Sequence, residues 1–312
     1  MRFAIVGAGA VGGYFGGRLV EAGHDVTFIA RGETLQALRR DGLRVRSVDG
    51  DFRVTVQATD RPQDVGTVDC VLFGVKAWQI EVAARQALPL FAADSFAVPL
   101  LNGIEVPDRL AGVLGTERVL GGLCRIIARV ESPGLIRHFG ARPTLELGEL
   151  DGVQTARLED FLTAVESAEF VAKVPKGGIR RAMWGKFLFI VATGAVGAVT
   201  RRTLGEIRRR PETRRLLQQS MAEIHTLSRR HGVDLSDDAV ERSMAFLDGL
   251  PEETTASMQR DIMEGRPSEL DAQCGAVLRL ARQVDLAVPV NELLHAALVL
   301  QEADHRRPLE EV

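Results

Sequence analysis

Gly7-Ala8-Gly9-Ala10-Val11-Gly12 carries the spacing G-x-G-x-x-G and follows directly on a short, mainly apolar strand signal, Met1 to Val6. Glycines at these positions do three separate jobs. The first permits a tight strand-to-helix turn, the second lets the backbone approach a diphosphate, and the third lets the helix pack closely on the strand. Free amides at the start of that helix then face the phosphates. A sharp turn with no ligand is the plainer alternative. Further on stands Arg31, where a site for NAD would place an Asp or Glu to accept from the ribose hydroxyls. A guanidinium offers a planar fork of donors matched to phosphate oxygens and keeps its charge at working pH. The reading is therefore NADP(H) over NAD(H), set against a solvated surface arginine. Far downstream, Trp184-Gly185-Lys186 puts a lysine just ahead of the apolar run 187–191, where a charge is costly without a partner or a task. Ser257 opens a polar helix start, and Glu269 follows Gly265-Arg266-Pro267-Ser268 at a helix N-terminus, where the dipole favours a carboxylate. An ammonium beside a ketone oxygen can stabilise developing alkoxide charge and deliver a proton. On pattern alone the plainer readings stay open: Lys186 snorkels to the surface, Glu269 is a helix-start carboxylate, Ser257 is a cap and Asn102-Gly103 is an ordinary turn.

These groups need elements to hold them. Helix signals over 13–22 and 78–91 alternate with strand signals over 25–30, 70–74 and 97–102, the pattern of a doubly wound parallel sheet. Ligands of such sheets sit outside the carboxyl ends of the strands, where Gly7, Arg31, Lys76 and Asn102 all fall. Segments 119–130, 134–139 and 144–147 read as further strands, antiparallel and closing the sheet. From about Gly178 the period changes to that of helices, over 179–199, 211–231, 237–247, 269–285 and 291–306. The Pro and Gly punctuation of Val174-Pro175-Lys176-Gly177-Gly178 marks the boundary. The expected architecture is α/β: a Rossmann-type NADP-binding domain over 1–176 and an all-helical substrate domain over 177–312.

Composition sets the limits. At 312 residues the chain exceeds one typical core. Lys plus Arg at 39 against Asp plus Glu at 42 gives a net charge of -3, which lends no support to a nucleic-acid partner. No uninterrupted apolar run reaches the ~20 residues of a membrane helix, and a motif beginning at residue seven leaves no room for a signal peptide, so the expectation is a cytoplasmic protein with no membrane partner. The three cysteines, Cys70, Cys124 and Cys274, show no C-x-x-C spacing and no neighbouring His cluster, so neither a disulfide framework nor a metal site is indicated.

Taken together in order and spacing, these segments resemble the ketopantoate reductase (2-dehydropantoate 2-reductase) family across nearly the whole chain. The matching stretches are Gly7 to Gly12, the Arg31 strand tip, Val75-Lys76-Ala77-Trp78-Gln79, Leu101-Asn102-Gly103, Trp184-Gly185-Lys186, Ser257-Met258 through Asp261, and Pro267-Ser268-Glu269-Leu270-Asp271. The resemblance implies NADPH-dependent reduction of a 2-oxo acid, with ketopantoate going to pantoate in pantothenate biosynthesis. It implies that Lys186 is the general acid for the keto oxygen. Glu269 is the essential carboxylate that contacts the nicotinamide ribose and orients substrate and lysine. Asn102 falls at the nicotinamide end, Ser257 binds the substrate carboxylate, and Arg31 and Lys76, with Gln79 in the same loop, lie on the 2′-phosphate and adenosine side.

One departure bears on substrate. The family pattern commonly has asparagines four and eight residues after the catalytic lysine; here those positions are Ile190 and Gly194. The expectation is a less polar wall, on which ketopantoate is reduced no better than a 2-oxo acid with a plain branched alkyl group, since each missing hydrogen bond is worth about 0.5–1.5 kcal/mol. A reductase of a more apolar 2-oxo acid or related carbonyl compound is thus the alternative. A non-catalytic NADP(H) sensor is the competitor from another class, although a sensor has no need of Lys186, Glu269 and Ser257 together. A homodimer through apolar faces of the helical domain is compatible with the pattern.

Overall fold

Residues 1–303 are described by the structure, a computed structural model. The chain divides into two compact units, the first comprising Met1–Leu101 with Glu105–Ala182, the second comprising Asn102–Ile104 with the chain from Met183 onward.

In the first unit β1 (Arg2–Val6), β2 (Asp25–Ile29), β3 (Leu43–Ser47), β4 (Phe52–Val54), β5 (Gln57–Thr59), β6 (Val68–Phe73) and β7 (Phe91–Pro99) precede two long strands, β8 (Gly121–Ser132) and β9 (Leu135–Gly148), and the short β10 (Val171–Lys173). Between them lie α1 (Ala10–Glu21), α2 (Gly32–Asp41), α3 (Ile80–Ala87), α4 (Val106–Leu114) and α5 (Ala156–Ala164). The first sheet is parallel throughout, in the order β5-β2-β1-β6-β7. Each of β1 and β2 is buried along four consecutive residues, as strands covered on both faces must be. The chain proceeds from β1 outward to β2 and β5, then crosses to β6 on the other side. This reversal opens the crevice at which open α/β sheets bind ligands.

The strands expected to close that sheet instead build a second one, in the order β10-β9-β3-β4 with β8 antiparallel to β9. The reason lies in residues 43–54, which the sequence pattern did not mark as strand. Leu43 and Val45 are buried while Arg44 and Arg46 are exposed, so the period-2 signal is short and half charged. Yet β3 pairs in parallel with β9 from Arg44↔Leu135 to Ser47↔His138 and so claims the edge of β9. The segments 134–139 and 144–147 are one continuous strand. Helix α1 lies between the sheets: a Cβ on Gly16 would meet Ile5 and Phe28 of the first sheet at 2.7 Å, and one on Gly13 would meet Ile136 of the second at 2.2 Å.

The second unit is built on α6 (Ile179–Thr200), followed by α7 (Leu204–Arg209), α8 (Pro211–Arg230), α9 (Ala239–Asp248), α10 (Ser257–Met263), a π-helical stretch (Asp271–Gly275), α11 (Ala276–Gln283) and α12 (Pro289–Ala303). The expected last helix, 291–306, extends beyond the described residues. By length and composition α6 could cross a membrane, with 22 residues and a mean hydropathy of 1.6, but 67% of that window is buried inside the protein. Beyond Arg180, Arg181 and Lys186 it is mainly apolar because it is a core helix. Phe187, Leu188, Val191, Ala195 and Val196 pack with Leu217, Ile224, Leu247 and Leu298 in one cluster. A buried polar clasp ties α12 to α8: Asn291 Nδ2 donates to Glu223 Oε2 at 2.6 Å, and Ser220 Oγ donates to Asn291 Oδ1 at 2.9 Å.

Candidate active site

The glycine motif spans the end of β1 and the first residues of α1. Gly7 has φ +100°, and a Cβ there would sit 2.8 Å from Val75 and 2.9 Å from the Gly74 backbone. A Cβ on Gly12 would lie 2.1 Å from the Gly7 carbonyl oxygen. Gly9 differs, since the nearest atom to a Cβ there is the Gly74 carbonyl oxygen at 4.0 Å. The first and third glycines are thus demanded by packing, and the second stands over open space. Gly9 is also the N-cap of α1, with no side chain accepting from the helix amides. Amides left without an internal partner at a helix start form an anion site, so Gly7, Ala8, Gly9, Ala10, Val11 and Gly12 fit a dinucleotide diphosphate on this chain's own geometry.

Neighbouring strand ends bring the other residues of this unit beside the motif. Gly7 N donates to Ile29 O of β2 at 3.1 Å, and Gly74 N after β6 donates to Val6 O at 2.8 Å. Arg31, just past β2, is exposed and precedes α2; its Nη2 donates to Gln86 Oε1 at 2.5 Å. Lys76, past β6, is half-buried with Nζ 5.7 Å from the Trp78 ring centroid. Gln79 closes the same loop: its Oε1 accepts from Lys76 N at 3.2 Å and its backbone N–H donates to Lys76 O at 2.9 Å. In this arrangement it shapes the loop that presents Lys76.

In the helical unit two of the singled-out residues meet. Asn102 Nδ2 donates to Glu269 Oε2 at 3.2 Å, across 167 residues of sequence. Glu269 is 7% exposed and sits just ahead of the π-helical stretch. The turn that carries it is fastened by Glu302 of α12, which accepts from Ser268 N at 2.9 Å and from Ser268 Oγ at 2.7 Å. Ser268 Oγ in turn accepts from Leu270 N at 3.2 Å. Gln273, one turn on, places Nε2 3.5 Å from Glu269 Oε2. Lys186 is half-buried on α6, between the buried Trp184 and Phe187. Trp184 itself is core, edge-on to Phe187 at 5.7 Å and stacked on His231 at 6.0 Å. Ser257 is the exposed first residue of α10, whereas Met258 and Gln259 turn into the interior.

The wall expected to lack amides is different in kind. Ile190 is apolar and half-buried, as its side chain dictates. At Gly194, however, an amide comes close: Gln273 Oε1 lies 3.5 Å from the place a Cβ would take, an ordinary contact, with Met258 tighter at 3.0 Å. An amide thus reaches this wall from a second element. Glu302 left no local signal in the sequence. Gln273 did, as the fourth residue after Glu269, the spacing at which helical side chains meet.

All three cysteines are buried thiols. Burial pushes the Cys274 thiol up to about 12 and the Cys70 thiol well above its ordinary range, so neither is a thiolate nucleophile at neutral pH. Among the described residues no group of three or more His, Cys, Asp or Glu side chains could hold a metal ion.

A parallel sheet with a glycine cradle at its switch point, followed by a helical unit carrying a lysine and a buried, amide-held carboxylate, defines a two-domain oxidoreductase. The comparisons with known proteins make the class specific. Residues 3–152 match the family model described as ketopantoate reductase PanE/ApbA, and residues 178–302 match its C-terminal model. The uncharacterized oxidoreductase YkpB of Bacillus subtilis (strain 168) is 32% identical over 307 residues, covering 97% of this chain and 100% of that protein. The 2-dehydropantoate 2-reductase of Mesorhizobium japonicum is 30% identical over 310 residues, covering 93% and 94%. A crystal structure of a PanE/ApbA family ketopantoate reductase from Ralstonia eutropha JMP134 superposes with a TM-score of 0.88 at 30% identity, covering 97% of this chain and 99% of that one. The chain belongs to the PanE/ApbA ketopantoate reductase family.

Proposed function

We propose that this chain reduces a 2-oxo acid to the 2-hydroxy acid with NADPH, and that the substrate is 2-dehydropantoate. The observation that carries the reading is the hydrogen bond between Asn102 and Glu269. It joins two residues far apart in sequence, both implied by family resemblance to work at the nicotinamide and substrate, around a carboxylate that burial makes costly unless it has a role.

The residues divide the work. Gly7 to Gly12 cradle the diphosphate at the start of α1, and Arg31 with Lys76 answers the 2′-phosphate through charge-assisted bonds. When bound, the nicotinamide supplies the hydride that the ketone carbon accepts. Lys186 stands as the general acid: its ammonium stabilises the charge that gathers on the keto oxygen and delivers the proton that completes the hydroxyl. Asn102 holds Glu269 in one rotamer, so that its carboxylate can accept from a ribose or substrate hydroxyl and orient the lysine. Ser257, exposed at the start of α10, binds the substrate carboxylate through its hydroxyl. A more apolar 2-oxo acid is a second reading, favoured by Ile190 on α6. The test is to follow NADPH absorbance with a panel of 2-oxo acids: turnover of 2-dehydropantoate supports the first reading, turnover confined to alkyl or aryl 2-oxo acids the second. A protein that binds NADPH and turns over none of them refutes both.

A further inference from the structure

We infer that Gln273 is a positioning residue for the proposed reduction, and the inference rests on that reading: it supplies the second amide donor that fixes Glu269 by one oxygen and leaves the other oxygen to the ligand. Gln273 is 1% exposed and lies in the π-helical stretch Asp271–Gly275, a local widening that occurs frequently at functional sites. Its backbone N–H donates to the Glu269 carbonyl at 3.0 Å, and its side-chain Nε2 stands 3.5 Å from Glu269 Oε2.

An ionised carboxylate only accepts. The amide end that faces it must therefore be the NH2, because the reverse orientation sets two acceptors against each other. The carbonyl end then points the other way, toward Gly194, and among the described residues Gln273 Oε1 is a buried side-chain atom without a hydrogen-bond partner. A buried carbonyl left unpaired is costly, and a leucine or methionine of similar volume would fill the same space without that cost. The amide therefore contributes through its other end. Asn102 Nδ2 closes on the same Oε2 at 3.2 Å. Two amides brought by separate segments thus hold one oxygen, and Oε1 is the oxygen through which Glu269 meets a hydroxyl of ribose or substrate. The carbonyl end lies against α6 at Gly194, 3.5 Å from where a Cβ would sit.

The test uses the full chain and its Gln273→Met and Gln273→Leu variants, with steady-state turnover of 2-dehydropantoate, NADPH affinity by titration and the melting temperature. Met keeps the length and shape of Gln and removes the donor. The expected result is a fall in kcat of about tenfold in both variants, the scale of one lost hydrogen bond to a charged group, with NADPH affinity held and a melting temperature equal to or above that of the unaltered protein. A packing role predicts the opposite pairing: Met retains kcat, and any variant that loses kcat loses melting temperature with it. Unaltered kcat in both variants, or parallel loss of kcat and melting temperature, overturns the positioning role. If instead the unaltered protein turns over no 2-oxo acid, the proposed function fails and takes this role with it.

Discussion

Replacing Gly9 and Gly12 one at a time by alanine separates the binding job of the glycine motif from its packing job. At Gly9 the backbone has φ −76° and ψ −164°, which alanine adopts without strain, and its methyl would meet nothing closer than 4.0 Å. Folding should be nearly indifferent. Under the proposed cofactor reading, however, the methyl would stand in the way of a diphosphate at the α1 amides. Losing one charge-assisted hydrogen bond costs about 1.5–3 kcal/mol, or roughly 10- to 150-fold in NADPH Kd. At Gly12 the methyl would lie 2.1 Å from the Gly7 carbonyl oxygen, more than an ångström inside ordinary contact, and 3.1 Å from Ile5. Neither neighbour is a loose end, so α1 must shift from the sheet. Overpacking of this kind costs about 1–3 kcal/mol, against a helix-propensity gain of about 0.5–1 kcal/mol for Gly to Ala. The net expectation is a destabilised first unit together with weakened binding. Isothermal titration with NADPH and thermal melts of the free proteins decide the matter. The reasoning is refuted if Gly9→Ala binds NADPH as the unaltered protein does, or if Gly12→Ala melts at the unaltered temperature.

Arg31→Ala should erase most of a preference for NADPH over NADH, about 1.5–3 kcal/mol if one guanidinium–phosphate contact is lost; equal affinities for the two cofactors in the unaltered protein, measured by titration, would sink the assignment. Lys186→Ala should lower kcat by roughly 100-fold or more, the worth of a positioned general acid, while leaving NADPH affinity in place; near-normal turnover would return Lys186 to a snorkelling lysine. Cys274 holds its proton up to about 12 in the folded chain, above an ordinary value of 9.0. Below about pH 9 both folded and unfolded states are protonated; above it the unfolded state loses its proton first, so stability falls as pH rises toward 12. Urea melts at about pH 8 and about pH 10.5 should show that decline, and Cys274→Ala should flatten its share of it; an identical decline in the variant would remove Cys274 as a source.

What the sequence disclosed follows the range of the interactions involved. The glycine turn was legible because its spacing is local: Gly7 and Gly12 are five positions apart and Gly12 is crowded by the Gly7 carbonyl of the same turn, although Gly7 is also crowded by Gly74 and Val75 from a distant strand end. The long apolar helix α6 was legible because burial on all sides writes an apolar run. The second sheet was not, since β3 reads as Leu43-Arg44-Val45-Arg46-Ser47, and its strand character comes from parallel pairing with β9, a partner no window around residue 45 contains. The division of β9 into two expected strands has the same origin, because local irregularity at Gly140-Ala141 outweighed a pairing with β8 that continues past a register shift.

The surroundings of Glu269 show the limit most sharply. Its own position was marked by Pro267, Ser268 and the helix start, all adjacent. The groups that determine what its carboxylate can do come from elsewhere: Asn102 from a segment 167 residues away, and Glu302, which fastens Ser268, from the last described helix. Gln273 is close in sequence, yet its meaning depends on Gly194, a residue that reads by itself as the loss of a polar group. The glycine on α6 and the amide on the π-helical stretch meet at one place in the fold. A motif comparison counts the first and cannot credit the second, because only packing brings the carbonyl of Gln273 to 3.5 Å from where the Gly194 side chain would begin. Substrate preference should therefore be argued from the amides that surround Glu269, whichever element carries them, rather than from the two positions that follow Lys186 along one helix.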